Sequence, residues 1–272
     1  MSYRAIGIYR EPEYSPGKVE ADAQILDGVL AELAREGVQT AAIRAADFAA
    51  RAVEPADLLL AMCQGERALR RLAEAEQDGA VAINSALAIR NCYRDLLASG
   101  LARSGAPAPR GALVPTSVPL DLRALDGVDP ALAVFVKRGD LHALGPDDVQ
   151  RVVGRAHLEA TLESFARRRI KFAYVQQEAE GRVVKFYGVS GGTYFTALLD
   201  DEIPEGAMNR LAEAAARAAA ALGLETWGGD AVLSGERFAI IDFNDWPSYS
   251  RVREQAARAI ARRAMALLSR PR

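Results

Sequence analysis

Residues 223–250 read GLETWGGDAVLSGERFAIIDFNDWPSYS, and this stretch decides the fold. Thr226 to Leu233 and Arg237 to Phe243 are two apolar runs joined by Ser234-Gly235-Glu236, which predicts a β-hairpin. Asp230 falls on the first strand, and Asp242 and Asn244 fall two residues apart on the second. Period-two alternation puts Asp242 and Asn244 on one face. Two carboxylates and an amide oxygen gathered there make a hard-oxygen set suited to magnesium bridging nucleotide phosphates. The same pattern also describes a solvated sheet face closed by an Asn-Asp turn, although strands as apolar as Phe238 to Ile241 sit less naturally against water.

Outward from the hairpin, the Ala-rich segment Glu205 to Leu222 predicts a helix. Before it come three strand candidates, Lys171 to Gln177, Arg182 to Val189 and Thr193 to Leu199, preceded by a helix around Leu158 to Arg168. Ala131 to Lys137 reads as a strand running into Arg138-Gly139-Asp140, and Pro146-Asp147-Asp148 reads as a helix start. Ser85 to Arg103 reads as one helix, ending in GAPAPRGALVPTSVP, whose prolines and glycines mark a connection. At the N-terminal end, the strand Tyr3 to Tyr9 leads into a helix over 22–36. Its apolar residues Ile25, Leu26, Val29, Leu30 and Leu33 share one face, and Gly37 follows as a cap. Further short apolar runs at 38–43, 57–63 and 80–84 complete a small α/β unit with a largely parallel sheet. It carries neither GxGxxG nor GxxxxGK[ST].

Composition narrows the function classes. The 272 residues are 50% hydrophobic and 26% charged, too apolar for a disordered chain. No apolar run approaches the roughly 20 residues of a membrane helix, and the opening MSYRAIGIYREPEYSPG lacks the layout of a signal peptide, so a soluble cytoplasmic protein is expected. Cys63, Cys92, His142 and His157 form no metal-ligand cluster. A net charge of −2 gives no general attraction to nucleic acid, despite the Arg-rich last helix. Only four of the 34 cations are lysine, namely Lys18, Lys137, Lys171 and Lys185. A compact ammonium is not interchangeable with a guanidinium, so these lysines are candidates for chemistry.

The chain resembles the ATP-grasp superfamily, in particular the glutathione synthetase-like and ribosomal-protein glutamate ligases. The resemblance rests on Ala220, Ala221, Leu222-Gly223-Leu224, Gly228 and Asp230, followed by Asp242, Asn244 and Pro247. Upstream it extends to Ile83-Asn84-Ser85 with Ala88-Ile89-Arg90 and Cys92, to Gly105 to Pro109, and to Val134 to Lys137. Together these cover about residues 83 to 250. The resemblance implies an α/β and α+β architecture, with an N-terminal parallel α/β unit (1–84) followed by a two-lobed ATP-grasp domain whose lobes span 85–170 and 171–272. It implies that Asp230, Asp242 and Asn244 hold magnesium and that Lys137 contacts nucleotide phosphates. Gln176, Gln177, Glu178 and Ala179 would form the hinge that receives adenine, and Lys185 matches a cation on a strand that follows the hinge.

The chain departs from the family pattern at three places. Arg94 stands where a lysine is common, the phosphate loop Arg138-Gly139-Asp140-Leu141-His142 is short, and Val183 replaces a carboxylate that often reaches ribose. His142 is then either an exposed loop histidine or a group touching the γ-phosphate. The implied reaction is ATP- and magnesium-dependent ligation of a carboxylate to an amine or thiol, through an acylphosphate, with release of ADP and phosphate. Alternatives of the same ancestry are a small-molecule kinase of the inositol-polyphosphate kinase type and a nucleotide-binding protein without catalysis. Expected partners are small-molecule carboxylates and amines or thiols, with a second copy of the chain as the one protein partner considered. Substrate contacts are sought at Arg10, Tyr14, Ser15 and Lys18, on the loop after the first strand. Trp246, Tyr249 and Cys63 are expected to fill the core, and His157 to start a helix.

Overall fold

The computed structural model of the chain describes residues 3–51, 54–117, 121–199 and 203–270. Strands β1 (Arg4–Tyr9), β2 (Gln39–Arg44), β3 (Leu58–Ala61) and β4 (Val81–Ile83) form a parallel sheet in the order β2-β1-β3-β4. Helices α1 (Val19–Arg35), α2 (Ala45–Ala50) and α3 (Glu66–Gln77) connect them. The apolar stripe of α1 behaves as its 3.6-residue spacing requires. Ile25, Leu26, Val29 and Leu33 are fully buried, each contributing about 1.5–3 kcal/mol by leaving water. Gly37, at φ +83°, ends this helix in a conformation that a side chain would disfavour.

Helices α4 (Ala86–Asn91) and α5 (Arg94–Ser104) come next. The single helix expected over Ser85 to Arg103 is therefore broken. Ser85 caps α4 by accepting from the Ala88 amide, and Tyr93 turns extended to become the residue before α5.

Strands β5 (Gly111–Pro115), β6 (Ala133–Arg138), β7 (Val149–Val153) and β8 (Phe172–Gln177) form a second, antiparallel sheet in the order β5-β8-β6-β7, with α6 (Arg155–Arg167) against it. Two expectations are refined here. Pro146-Asp147-Asp148 does start a helix, but one limited to a single 3₁₀ turn, and it feeds β7, whose Val152 pairs with Val134 and is fully buried. The proline-rich connection contains β5, an edge strand whose Pro115 sits at its end, where the missing N–H does least harm. β8 pairs with both β5 and β6, so this sheet closes at Gln177 rather than at the expected 170/171 boundary.

Strands β9 (Arg182–Val189), β10 (Tyr194–Leu198), β11 (Thr226–Ser234) and β12 (Arg237–Asn244) form the third sheet, antiparallel in the order β10-β9-β11-β12. Helix α7 (Glu205–Leu222) covers it through Ala207, Leu211, Ala214, Ala215 and Ala218. Leu97 and Leu101 of α5 join the same core, so residues just past 84 pack with the third sheet rather than the second. Gly100 of α5 permits the close approach of α7: a Cβ added there would lie 2.4 Å from Leu222 Cδ2. Helix α8 (Arg253–Leu268) returns to the N-terminal unit and packs Ala256, Ala259, Ile260 and Ala264 with α1. Trp246 and Tyr249 are completely buried, as expected, and tie the third sheet to this core. Among the described residues, no helix is long and apolar enough to cross a membrane.

Candidate nucleotide and substrate site

The register of the third sheet brings three predicted residues into one row. Lys185 on β9 is opposite Asp230 on β11, which is opposite Asp242 on β12. Lys185 Nζ donates to Asp230 Oδ1 at 2.6 Å. Val184 and Phe186 on either side are fully buried while Lys185 is half exposed, as strand alternation requires. Burial disfavours the Lys185 ammonium, but Asp230 outweighs it and the pKa lies above its ordinary value. A bulge between Asp230 and Ala231 offsets the register beyond this row. Gly229 lies in the same strand for a steric reason: a Cβ there would come within 2.3 Å of the Asp242 carbonyl oxygen. Asn244 is opposite Gly228 and lines the neighbouring cleft.

Two cations reach this row from other elements. Arg94, at the start of α5 and 4% exposed, places Nη2 3.4 Å from Asp242 Oδ2, and its Nε has no partner. Lys137, from β6, donates from Nζ to Gln176 Oε1 at 2.8 Å and to the Ile241 carbonyl at 2.9 Å, so it joins the second sheet to the third. It is 6% exposed. Burial pushes its pKa down to about 8, against the attraction of Asp242. Burial also opposes ionisation of Asp242, yet Arg94, Lys137 and His142 outweigh it and hold its pKa at about 2. The alternative of a solvated sheet face is thus not met at Asp242: its carboxylate is set among cations.

The stretch expected to receive adenine is placed less uniformly. Gln176 is buried against Lys137, whereas Gln177 donates to the Ala133 carbonyl and accepts from the Asp129 amide. Glu178 forms a bidentate pair with Arg151, with both bonds at 2.7 Å. The side chains of Gln177 and Glu178 are therefore held by their own sheet. Beyond Lys137, Arg138 binds Asp140 and Asp148 and so braces the loop from within. His142 lies inward rather than exposed, with Nε2 3.9 Å from Asp245 Oδ1. Burial lowers its pKa against the pull of Asp242 and Asp245. Val183 is exposed, and His157 lies on the surface in the first turn of α6.

A cleft of about 560 Å³ opens beside this row, between the loop after β1, the His142 loop and the third sheet. Arg10, Tyr14, Ser15 and Lys18, sought as substrate contacts, all line it. The guanidinium of Arg10 is largely occupied: Nη1 pairs with Asp22 at 3.1 Å, Nη2 donates to the Trp246 carbonyl at 2.7 Å and Nε to that of Met62 at 3.2 Å.

Sequence reasoning missed Asp245 and Gln64, and gave Asn84 no role beyond its place in the resemblance. Gln64, after β3, donates to Asp245 Oδ1 at 2.8 Å. Asn84, after β4 and fully buried, donates to the Asp245 and Thr226 carbonyls and accepts from the Glu225 and Thr226 amides. The carboxyl ends of β1, β3 and β4 thus grip the segment after β12, at the crevice where open parallel sheets bind ligands. No local signal marks these partners, which lie 142 to 236 residues apart for Asn84–Thr226 and Arg10–Trp246.

Among the described residues, no cluster of three or more His, Cys, Asp or Glu makes a ready metal cage. Two carboxylates and an amide suit an ion that keeps water and phosphate oxygens as most of its ligands, which is how magnesium binds.

No family model matches the chain, and no curated protein matches it. Solved structures do. The D-alanine–D-alanine ligase of Bacillus anthracis complexed with ATP is similar at a TM-score of 0.73 and 13% identity, over 98% of both chains. The VanG D-Ala:D-Ser ligase of Enterococcus faecalis gives 0.73 and 12%, over 98% of this chain and 100% of that one. A RimK domain ATP-grasp protein of Sphaerobacter thermophilus gives 0.68 and 17%, over 96% and 99%. At these identities the likeness is one of architecture, and it agrees with the motif in residues 223–250: the chain has the ATP-grasp fold.

Proposed function

We propose that this chain is an ATP- and magnesium-dependent ligase that joins a carboxylate to an amine or thiol and releases ADP and phosphate. The observation that carries this reading is the convergence of Lys137, Arg94 and Lys185, from three different elements, on the Asp230–Asp242 row beside a cleft. Phosphoryl transfer depends chiefly on positioning and on neutralising charge at the transferred group, and this arrangement supports both.

In this reading Lys137, Arg94 and Lys185 bind phosphate oxygens, His142 approaches the γ-phosphate, and the stretch Gln176 to Ala179 receives adenine. Asp230, Asp242 and Asn244 would hold magnesium, which supplies charge neutralisation between phosphate oxygens when bound. The substrate carboxylate oxygen attacks the γ-phosphorus as the bond to ADP breaks. An amine or thiol then attacks the acyl carbon, phosphate leaves and the nucleophile loses its proton. The first step needs no protein base, because the nucleophile is already an anion. The His142 loop and the surrounding buried side chains exclude water from the acylphosphate.

Incubation with ATP, magnesium and pooled carboxylates and amines tests the reading. ADP and phosphate formed together with a coupled product support a ligase. A phosphorylated product would instead make it a kinase, and nucleotide binding without turnover would make it a non-catalytic binder.

A further inference from the structure

Four aspartates stand at or beside the cleft, and three of them have a cation within hydrogen-bonding distance. Asp22 has Arg10 at 3.1 Å, Asp230 has Lys185 at 2.6 Å and Asp242 has Arg94 at 3.4 Å. Asp245 differs. It is 1% exposed, its Oδ1 accepts from the neutral amide of Gln64, and its Oδ2 has no hydrogen-bond partner. The nearest cationic nitrogen, Arg10 Nη2, is 4.0 Å away and already donates to the Trp246 carbonyl.

A buried carboxylate oxygen without a donor is costly, and folding does not leave one so firmly positioned by accident of flexibility. Gln64 fixes the side chain of Asp245, while Asn84 holds its carbonyl and Arg10 holds the carbonyl of the next residue. The Nε1–H of Trp246, next in sequence and completely buried, lacks a partner too. Asp245 lines the cleft, so a ligand seated there would complete its unused valence.

We propose that Asp245 is the anchor for a protonated amine on the substrate, so that the cleft selects small molecules bearing an ammonium group. This deepens the ligase reading and rests on it for the identity of the cleft. An ammonium supplies both what Oδ2 lacks, a donor, and what the buried carboxylate lacks, a full compensating charge in contact. Lys18, exposed on the cleft wall, provides a donor for an oxygen acceptor elsewhere on the same molecule. The imidazole of His142 stands over Asp245, and Oδ2 is closed off from solvent, so the amine enters when the loop carrying His142 lifts. Asp245 is thereby a specificity-determining residue separate from the Asp230–Asp242 row.

The test is direct binding by calorimetry to the full chain, with magnesium and a non-hydrolysable ATP analogue. The probes are ethylamine, putrescine and the two enantiomers of alanine; propionate and 1-butanol serve as counterparts without nitrogen. At least one amine is expected to bind saturably, and at least tenfold more tightly than its counterpart. Preference for alanine identifies an amino acid as the source of the ammonium, and preference for putrescine or ethylamine a simple amine. Asp245→Asn is expected to weaken that binding at least tenfold.

Absence of saturable amine binding up to 100 mM, equal binding of amines and counterparts, or unchanged affinity in Asp245→Asn overturns the assignment. Should the variant fail to fold, the wild-type contrast between amine and counterpart decides alone. ADP release from ATP is followed in parallel with pooled carboxylates added: amine binding without any ADP formation refutes the ligase reading and leaves Asp245 assigned, whereas turnover without amine selectivity does the reverse.

Discussion

Arg94 Nη2 lies 3.4 Å from Asp242 Oδ2 and joins the first turn of α5 to the last strand of the third sheet. Both groups are largely withdrawn from water, so removing one charge strands the other. Asp242→Asn is expected to abolish magnesium-dependent turnover and to lower stability by about 3 kcal/mol, leaving a folded protein. The double variant Arg94→Gln/Asp242→Asn recovers much of the stability and none of the turnover. Thermal melts and ADP release read the two effects separately, and wild-type turnover in Asp242→Asn would remove that residue from the site.

Lys137 gives a pH dependence whose sign follows from its burial. In the free protein its pKa is about 8, below the ordinary lysine value, and phosphate oxygens would raise it again on binding. Nucleotide affinity is therefore expected to be complete below pH 8 and to fall as pH rises through 8, by up to tenfold per unit until the bound-state pKa is reached. Lys137→Met weakens ATP binding by about 1–3 kcal/mol and flattens this profile. Calorimetry from pH 7 to 10 measures both, and an unchanged affinity in the variant would count against a phosphate contact.

The linkage with folding has the opposite direction. Between pH 8 and the ordinary lysine pKa, the native chain has lost a proton that the unfolded chain retains, so stability rises with pH across that window through this group. Urea melts of wild type and Lys137→Met isolate the contribution as a difference between their slopes.

The loop from Arg138 to Gly145 is braced by Arg138 on Asp140 and Asp148, and by the Leu144 amide donating to Asp148. We propose that it acts as a lid over the phosphates. Hydrogen exchange in residues 139–145 is expected to slow when ATP and magnesium are added together, and much less with adenosine. Equal protection by the two ligands would reduce the loop to a connection.

Gly229 tests whether the row of Lys185, Asp230 and Asp242 needs its backbone spacing. A Cβ there would meet the Asp242 carbonyl oxygen at 2.3 Å and the Phe186 ring at 2.5 Å, neither of which can yield without parting β9, β11 and β12. Gly229→Ala is expected to cost about 1–3 kcal/mol in stability and to slow turnover by shifting Asp242. Retained stability and rate together would show that the sheet adapts.

Periodicity placed α1, the β11–β12 hairpin and the shared face of Asp242 and Asn244, because spacing of 3.6 or 2 is written along the chain and needs no distant partner, and Ala-rich composition placed α7. The Asp-x-Asn spacing and the Lys137 strand were legible for the same reason, and with them the ATP-grasp resemblance. β5 and β7 were not, since each is a five-residue strand defined by the neighbour it pairs with, β8 and β6 respectively. The strand β8 could be read as a strand but not assigned to its sheet, a choice made by hydrogen bonds across the fold. Tertiary structure alone likewise decided that Lys137 is buried against the Ile241 carbonyl, that Arg94 faces Asp242 and that Asp245 is left with an unfilled oxygen. Side-chain chemistry is local, but desolvation and charge compensation depend on groups that only folding brings within a few ångströms.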